Sequence, residues 1–231
     1  MSIDVLQAIA QAQASWQPPQ VPEDIPQGDM PGDKVWIGPQ SIEKANVAFR
    51  AALPMLQEAL KANPAHKAVI AVTGGSGVMK TCVSALFTYY LKELGIGAYT
   101  LSGDNYPWRI PVQNDAERMR IFRMGGVEGM LAQGVYNPEN AAILKELQLA
   151  DLDSEPKKQE EYPWLAAYQS AGREALSGYL GTELEQNYAK LESVLAQFKA
   201  GQEKIWLRRL GNEDTDLWYD EKDFSQIPVL V

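Results

Sequence analysis

Ala71-Val72-Thr73-Gly74-Gly75-Ser76-Gly77-Val78-Met79-Lys80-Thr81 is the stretch that decides how this chain folds. Its spacing is that of a phosphate-binding loop: glycine, four residues, then Gly-Lys-Ser/Thr, with Met79 standing where the last glycine is expected. Upstream, Ala68-Val69-Ile70-Ala71-Val72 is an apolar run that reads as a buried strand. Downstream, Cys82 to Leu94 is helix-competent and stops at Gly95. Strand, glycine loop and helix together aim backbone N–H groups and a helix N-terminus at a phosphate.

The residue types assign roles. The amides of Gly74, Gly75, Ser76, Gly77, Val78 and Met79 wrap a β-phosphate, and the first helical turn with Cys82 completes the cofactor-binding stretch. Lys80 bridges the β- and γ-phosphates of ATP, and the Thr81 hydroxyl sits on Mg²⁺. Met79 brings a Cβ and a thioether where glycine would let a ligand approach closely. The competing interpretation is a glycine-rich strand-to-helix turn with no ligand.

Composition narrows the class. The 231 residues suffice for one large domain or a domain with an insertion, and an apolar fraction of 45% supports a packed core. The net charge of −9 argues against a nucleic-acid partner. Cys82 is the one cysteine, so no intrachain disulfide forms and a reducing cytoplasm is expected. Met1-Ser2-Ile3-Asp4 does not open a secretory signal, and no apolar run reaches membrane-spanning length, so no membrane partner is expected. His66, beside Pro64 and Lys67, reads as an exposed loop residue before the first strand. Catalysis is therefore expected from lysine, carboxylate and metal.

Along the chain, residues 1–40 hold an amphipathic helix at 2–16 and a Pro/Gly-rich linker. Residues 41–113 form the core, with a helix capped by Ser41 and carrying Pro54. A second strand follows at Ala98-Tyr99-Thr100-Leu101. Strand, helix, strand is a βαβ unit and predicts a parallel pair. Residues 114–204 read as a helical insertion: a helix capped by Asp115 and interrupted at Gly125-Gly126, another from Pro138, and a solvated connection at 151–161. A pair of helices follows, broken near Gly178–Gly181. In the last one Leu184, Tyr188, Leu191, Val194, Leu195 and Phe198 share a core-facing stripe. Residues 205–231 give a hairpin, Ile205–Leu210 with Leu217–Asp220, then a buried strand at Ile227–Val231. The expected fold is α/β, a P-loop NTPase-type parallel sheet of about three core strands with N-terminal helices and a long helical insertion. A core strand at the end of the chain suggests a homodimer or a partner chain completing the sheet.

A second constellation follows the second strand: Leu101-Ser102-Gly103-Asp104-Asn105-Tyr106-Pro107-Trp108-Arg109. Ligands of open parallel sheets sit outside the carboxyl ends of the strands, so Asp104 shares a rim with Lys80. A carboxylate there accepts a proton from an acceptor hydroxyl or holds Mg²⁺ through water. The alternative is an Asp-Asn turn that caps the next segment.

Ser102-Gly103-Asp104-Asn105, followed by Asn114-Asp115-Ala116-Glu117-Arg118-Met119-Arg120-Ile121-Phe122-Arg123, resembles the adenylylsulfate kinases among P-loop small-molecule kinases. That family carries Asp-Gly-Asp-Asn at the end of its second strand and then an acidic-and-arginine helix. The resemblance implies that Asp104 and Asn105 belong to the acceptor site, that Arg120 contacts an anionic acceptor, and that Arg109 and Arg123 support it. Arg120 and Arg123 equally fit a solvated helix face paired with Glu117 or Asp115. Leu217-Trp218-Tyr219-Asp220 before Ile227–Val231 is similar to the Tyr-Asp hairpin of uridine kinases and phosphoribulokinases, where the third strand leads to an acidic residue near the metal. Here the chain ends at Val231. Two functions are therefore expected in competition: ATP-dependent phosphoryl transfer to a hydroxyl of a small anionic metabolite such as adenylylsulfate, uridine or a sugar phosphate, or nucleotide binding without turnover.

Overall fold

The three apolar runs at 68–72, 98–101 and 227–231 meet in one parallel sheet, in an order that differs from the expected adjacent pair. A computed structural model of the protein describes residues 4–23, 25, 28, 29, 35–75, 77–211, 213 and 216–231. In chain order the elements are α1 (Val5–Ser15), α2 (Pro39–Ala62), β1 (Ala68–Val69), α3 (Lys80–Glu93), β2 (Ala98–Tyr99), α4 (Pro111–Ala132), α5 (Pro138–Leu149), α6 (Lys158–Glu161), α7 (Leu165–Ser177), α8 (Tyr188–Lys199), β3 (Lys204–Leu210), β4 (Leu217–Asp223) and β5 (Val229–Leu230). The sheet order is β1-β5-β2. Ala68 and Ala98 both face Val229, and Val69 and Tyr99 both face Leu230, all in parallel register. β1 and β2 are therefore not bonded to each other, because the last strand enters between them. Bonds from Ile70 N to Leu230 O and from Leu101 N to Val231 O extend the ladder past the short strands. β5 has both edges paired within the chain, so no partner chain is needed to complete that strand.

The contacts divide the chain into two compact units, residues 1–106 with 188–211 and 215–231, and residues 107–187 with 212–214. In the first, side-chain alternation covers both faces of the sheet. Ala68, Ala98, Val229 and Val231 pack with Phe49, Leu53, Leu86 and Leu91 of α2 and α3. Val69, Tyr99 and Leu230 pack on the other side with Val194 and Phe198 of α8 and with Ile205, Leu207 and Phe224. Helix α8 thus belongs to the sheet unit, and its stripe is core from Leu191 to Phe198, whereas Leu184 precedes the helix and both Leu184 and Tyr188 are exposed. The hairpin β3–β4 is antiparallel, from Lys204 opposite Asp223 to Leu210 opposite Leu217. Lys67 pins the approach to β5, its Nζ donating to Phe224 O at 2.6 Å and Ile227 O at 2.9 Å.

Local chemistry explains the helix ends. Asp4 Oδ1 accepts from Leu6 N and Gln7 N, which starts α1 at Val5. α2 begins two residues before Ser41: Pro39 occupies its first turn, and Ser41 Oγ accepts from Gly38 N at 3.0 Å. α4 likewise starts at Pro111, not after Asp115, and runs unbroken through Gly125-Gly126. The glycines make room for α7. A Cβ on Gly125 would lie 2.3 Å from Ala175 Cβ, one on Gly129 2.2 Å from Ala171 Cβ, and one on Gly126 2.5 Å from the Tyr168 ring. Connection 151–161 is not wholly solvated, since Asp153 is fully buried and accepts from Tyr168 Oη and Arg123. Among the described residues no helix is long and apolar enough to cross a membrane.

Candidate functional site

The glycine loop crosses the carboxyl rim of the sheet between β1 and α3. Gly77 has φ +76° and Met79 has φ +70° with ψ +27°. Met79 is the N-cap of α3 and makes no side-chain cap bond, so the first-turn amides of Lys80, Thr81 and Cys82 are presented as a helix N-terminus presents them. The missing glycine of the sequence pattern is thus a backbone position in the left-handed region, which a residue with a Cβ occupies at a cost of ~1–2 kcal/mol. Gly75 lacks positive φ, and a Cβ built there meets nothing within 4 Å. Neither conformation nor packing against the described residues requires glycine at 75. Lys80 Nζ donates to Gly75 O at 2.7 Å, folding the ammonium back over the loop. Thr81 is exposed. Ser76 lies outside the described residues. Cys82 donates its Sγ–H to Trp36 O at 3.3 Å, and burial pushes its thiol up, so it remains protonated and packs.

The chain leaves β2 at the same rim, turning through a short 3-10 turn at Gly103–Asn105. Ser102 Oγ accepts from Asp104 N at 3.3 Å, so the turn-capping alternative is realised by Ser102, while Asp104 itself stays exposed. β5 separates the two rim loops by two strand spacings, about 10 Å. Asn105 is fully buried: its Nδ2 donates to Asp29 Oδ1 at 3.2 Å, and its Oδ1 accepts from Leu210 N at 3.2 Å. Its amide holds the rim loop in shape and is not available to a substrate.

Two residues that the sequence did not single out organise this rim. Asp29 Oδ1 also accepts from Ser102 N at 2.6 Å, and its Oδ2 accepts from Tyr99 Oη at 3.0 Å and Arg209 Nη1 at 2.8 Å. Burial pushes the Asp29 carboxyl up, against the lowering effect of Ser102, Arg209 and Tyr99. Arg209 is 8% exposed and also reaches Asp220 and Tyr99. The signal was readable in the strand: Arg209 falls on the same face as the fully buried Ile205 and Leu207.

The three arginines all lie in the second unit. Arg109 donates to Tyr179 Oη at 3.1 Å and lies 3.8 Å from Glu117. Arg120 forms two 2.7 Å bonds to Glu117, the solvated-face pairing, and remains exposed. Arg123 donates to Asp153, Asp151 and Gln148 O, which fixes the α5–α6 connection to α4. Arg120 and Arg123, with Met119, Met124, Val127 and Gln148, line an open groove of about 660 Å³ within that unit. No group of three or more His, Cys, Asp or Glu suited to a metal is present among the described residues.

No family model matches the chain, and no solved structure matches it. The chain is 32% identical over 169 residues, 73% of its length, to the bifunctional alpha-galactosidase/sucrose kinase AgaSK of Mediterraneibacter gnavus. It spans only 13% of that larger protein.

Proposed function

We propose that the chain is a P-loop kinase unit that transfers the γ-phosphoryl group of ATP to a hydroxyl of a sugar-type acceptor. The observation that carries this is the loop at 74–81, which leaves open space at Gly75 and has Lys80 folded over it, on the rim that bears Asp104. The similarity to a sucrose kinase supports a sugar acceptor over adenylylsulfate.

The loop amides and Lys80 hold the phosphates and offset the charge that spreads over the transferring group. The Thr81 hydroxyl would be the residue to hold Mg²⁺, a cation that dehydrates reluctantly and suits a phosphate-bearing site. Mg²⁺ when bound neutralises charge on the phosphates. Asp104, exposed across the rim, takes the proton of the acceptor hydroxyl. The hydroxyl oxygen forms its bond to the γ-phosphorus as the bond from that phosphorus to the β–γ bridging oxygen breaks, and ADP leaves with the electron pair. Arg120 and Arg123 are paired within the second unit, with Glu117 and Asp153, and take no part in this reading.

Calorimetric titration with Mg·ATP of the wild type against Lys80→Ala tests the nucleotide site: equal affinity would sink it. Turnover with sucrose, fructose, glucose and adenylylsulfate, wild type against Asp104→Asn, tests the transfer. Sugar-dependent ADP release that falls at least 100-fold in Asp104→Asn is expected, in line with the usual ~10²–10⁴-fold worth of a general base. ATP bound with no turnover on any acceptor would instead make the chain a nucleotide-binding protein.

A further inference from the structure

Away from the glycine loop, strand β2 has a second cavity on its free edge. It encloses about 360 Å³, near the lower end of the range for small-molecule sites, and Lys92 of α3, Lys222 of β4 and Arg209 of β3 line it together with Tyr99, Thr100 and Asp29. The chain as a whole carries 30 acidic against 21 basic residues, yet this wall carries three bases and one acid. That one acid is spent, since Asp29 accepts from Arg209, Tyr99, Ser102 and Asn105. Arg209 is held in place at 8% exposure by Asp29, Asp220 and Tyr99. Lys222 lies over the Tyr99 ring, 5.1 Å from its centroid, which orients its ammonium toward the cavity wall.

Lys92 and Lys222 come from different elements and converge on this space without an ion pair to any described carboxylate. Burial and then the charge of Lys222 push the Lys92 ammonium down from its ordinary value. Like charges that approach across a cavity repel, and an anion between them turns that repulsion into attraction. The hydroxyls of Thr88 and Thr100 bond each other at 2.6 Å, which uses one of their two hydrogens and leaves the other for an anion beside the cations.

We infer that this cavity is an anion site for a phosphorylated small molecule, its phosphoryl group seated between Lys92 and Lys222 and its body against Tyr99 and Thr100. Asp29 links the site to the rim: one of its oxygens holds Arg209, the other holds Ser102 and Asn105 beside Asp104. An occupant is thus positioned to steady the loop that bears Asp104. The inference is independent of the proposed kinase activity, because none of its residues lies in the phosphate loop.

Calorimetry in a Lys80→Ala background, which weakens the glycine loop as a competing phosphate site, tests it with three probes: inorganic phosphate, a hexose phosphate and the unphosphorylated hexose. Saturable binding of both phosphates is expected, with at least a tenfold loss in either Lys92→Gln or Lys222→Gln, whereas any hexose binding at the proposed acceptor site should be unchanged in both variants. Tighter binding of the hexose phosphate would identify a phosphate ester as the ligand, and equal binding would identify free phosphate as sufficient. Thermal melts confirm that the glutamine variants fold, and Lys222→Arg, which keeps the charge, should retain binding to within threefold. Absence of saturable binding of either phosphate, or binding unchanged in both glutamine variants, would overturn the inference.

Discussion

Met79 separates two structures that the sequence leaves open. As the N-cap of α3 in the left-handed region, position 79 should prefer glycine to alanine, whereas inside a helix it should prefer alanine. Alanine at φ +70° carries the left-handed cost of ~1–2 kcal/mol. Glycine avoids that cost but gives back ~0.5–1 kcal/mol through its freer unfolded chain. Met79→Gly should therefore exceed Met79→Ala in stability by ~0.5–1 kcal/mol, and the N-cap preference for glycine over alanine has the same sign. If α3 instead began one turn earlier, alanine would lead by ~1 kcal/mol, so the two geometries differ in sign. Native-state hydrogen exchange at the buried α3 amides of Ala85, Leu86, Tyr90 and Leu91 reads the opening free energy of this unit directly. A glycine variant whose α3 amides exchange faster than those of the alanine variant would refute the left-handed cap. Mg·ATP titration on the same pair adds the functional half: Met79→Gly should bind at least as tightly as the wild type, because the backbone it needs is already in place.

Arg123→Ala should destabilise the second unit by ~3 kcal/mol in urea unfolding, because it strands the fully buried Asp153 without its cation. Arg120→Ala should leave unfolding unchanged within error, since its pair with Glu117 is solvent-exposed. Gly129→Ala places a Cβ 2.2 Å from Ala171 Cβ and should cost ~1–3 kcal/mol, whereas an alanine elsewhere inside a helix is usually the better residue. Glu185 is pushed up by burial but more strongly down by Gly181 N–H, Arg118 and Asn114, ending below its ordinary value of 4.5. The native form then binds a proton less readily than the unfolded chain. The stability this contributes is present above pH 4.5 and lost as pH falls through the lowered value, and Glu185→Gln should flatten that acid limb of the melting profile.

What the sequence made legible is what periodicity and punctuation encode. The hairpin and the α8 stripe each have a pattern that one residue of shift would destroy, and the three buried runs are marked by continuous apolar length. Sheet order is different in kind. Nothing in 68–72 or 98–101 records which neighbour bonds to them, because a buried parallel strand is apolar on both faces and fits either edge. The order is fixed by the last strand, which supplies alternating Val229, Leu230 and Val231 to both neighbours at once. Gly125-Gly126 misled for a related reason. Glycine inside a helical pattern reads as a break when only the local backbone is weighed, and the compensating contact, Ala171 and Ala175 of α7, lies over 40 residues away.

The candidate site divides along the same line. Lys80, Thr81 and the loop glycines are adjacent in sequence, so spacing alone assembles them, and Asp104 follows because a parallel strand delivers its loop to the same rim. Asn105 looked like its equal in the motif but faces inward, where both ends of its amide are consumed by Asp29 and Leu210. Asp29 and Arg209 could be paired only in three dimensions, being 180 residues apart. Only the arginine left a trace, a charge on the apolar face of a strand, since Asp29 is one of four acidic residues, with Glu23, Asp24 and Asp33, in its proline-rich stretch. A charge on a buried face requires a counter-charge brought from elsewhere, since an unpaired one costs several kcal/mol, on the order of the stability of a small domain. Arg209 therefore requires a distant carboxylate buried with it, and only the fold identifies that carboxylate as Asp29, which holds the loop beside Asp104.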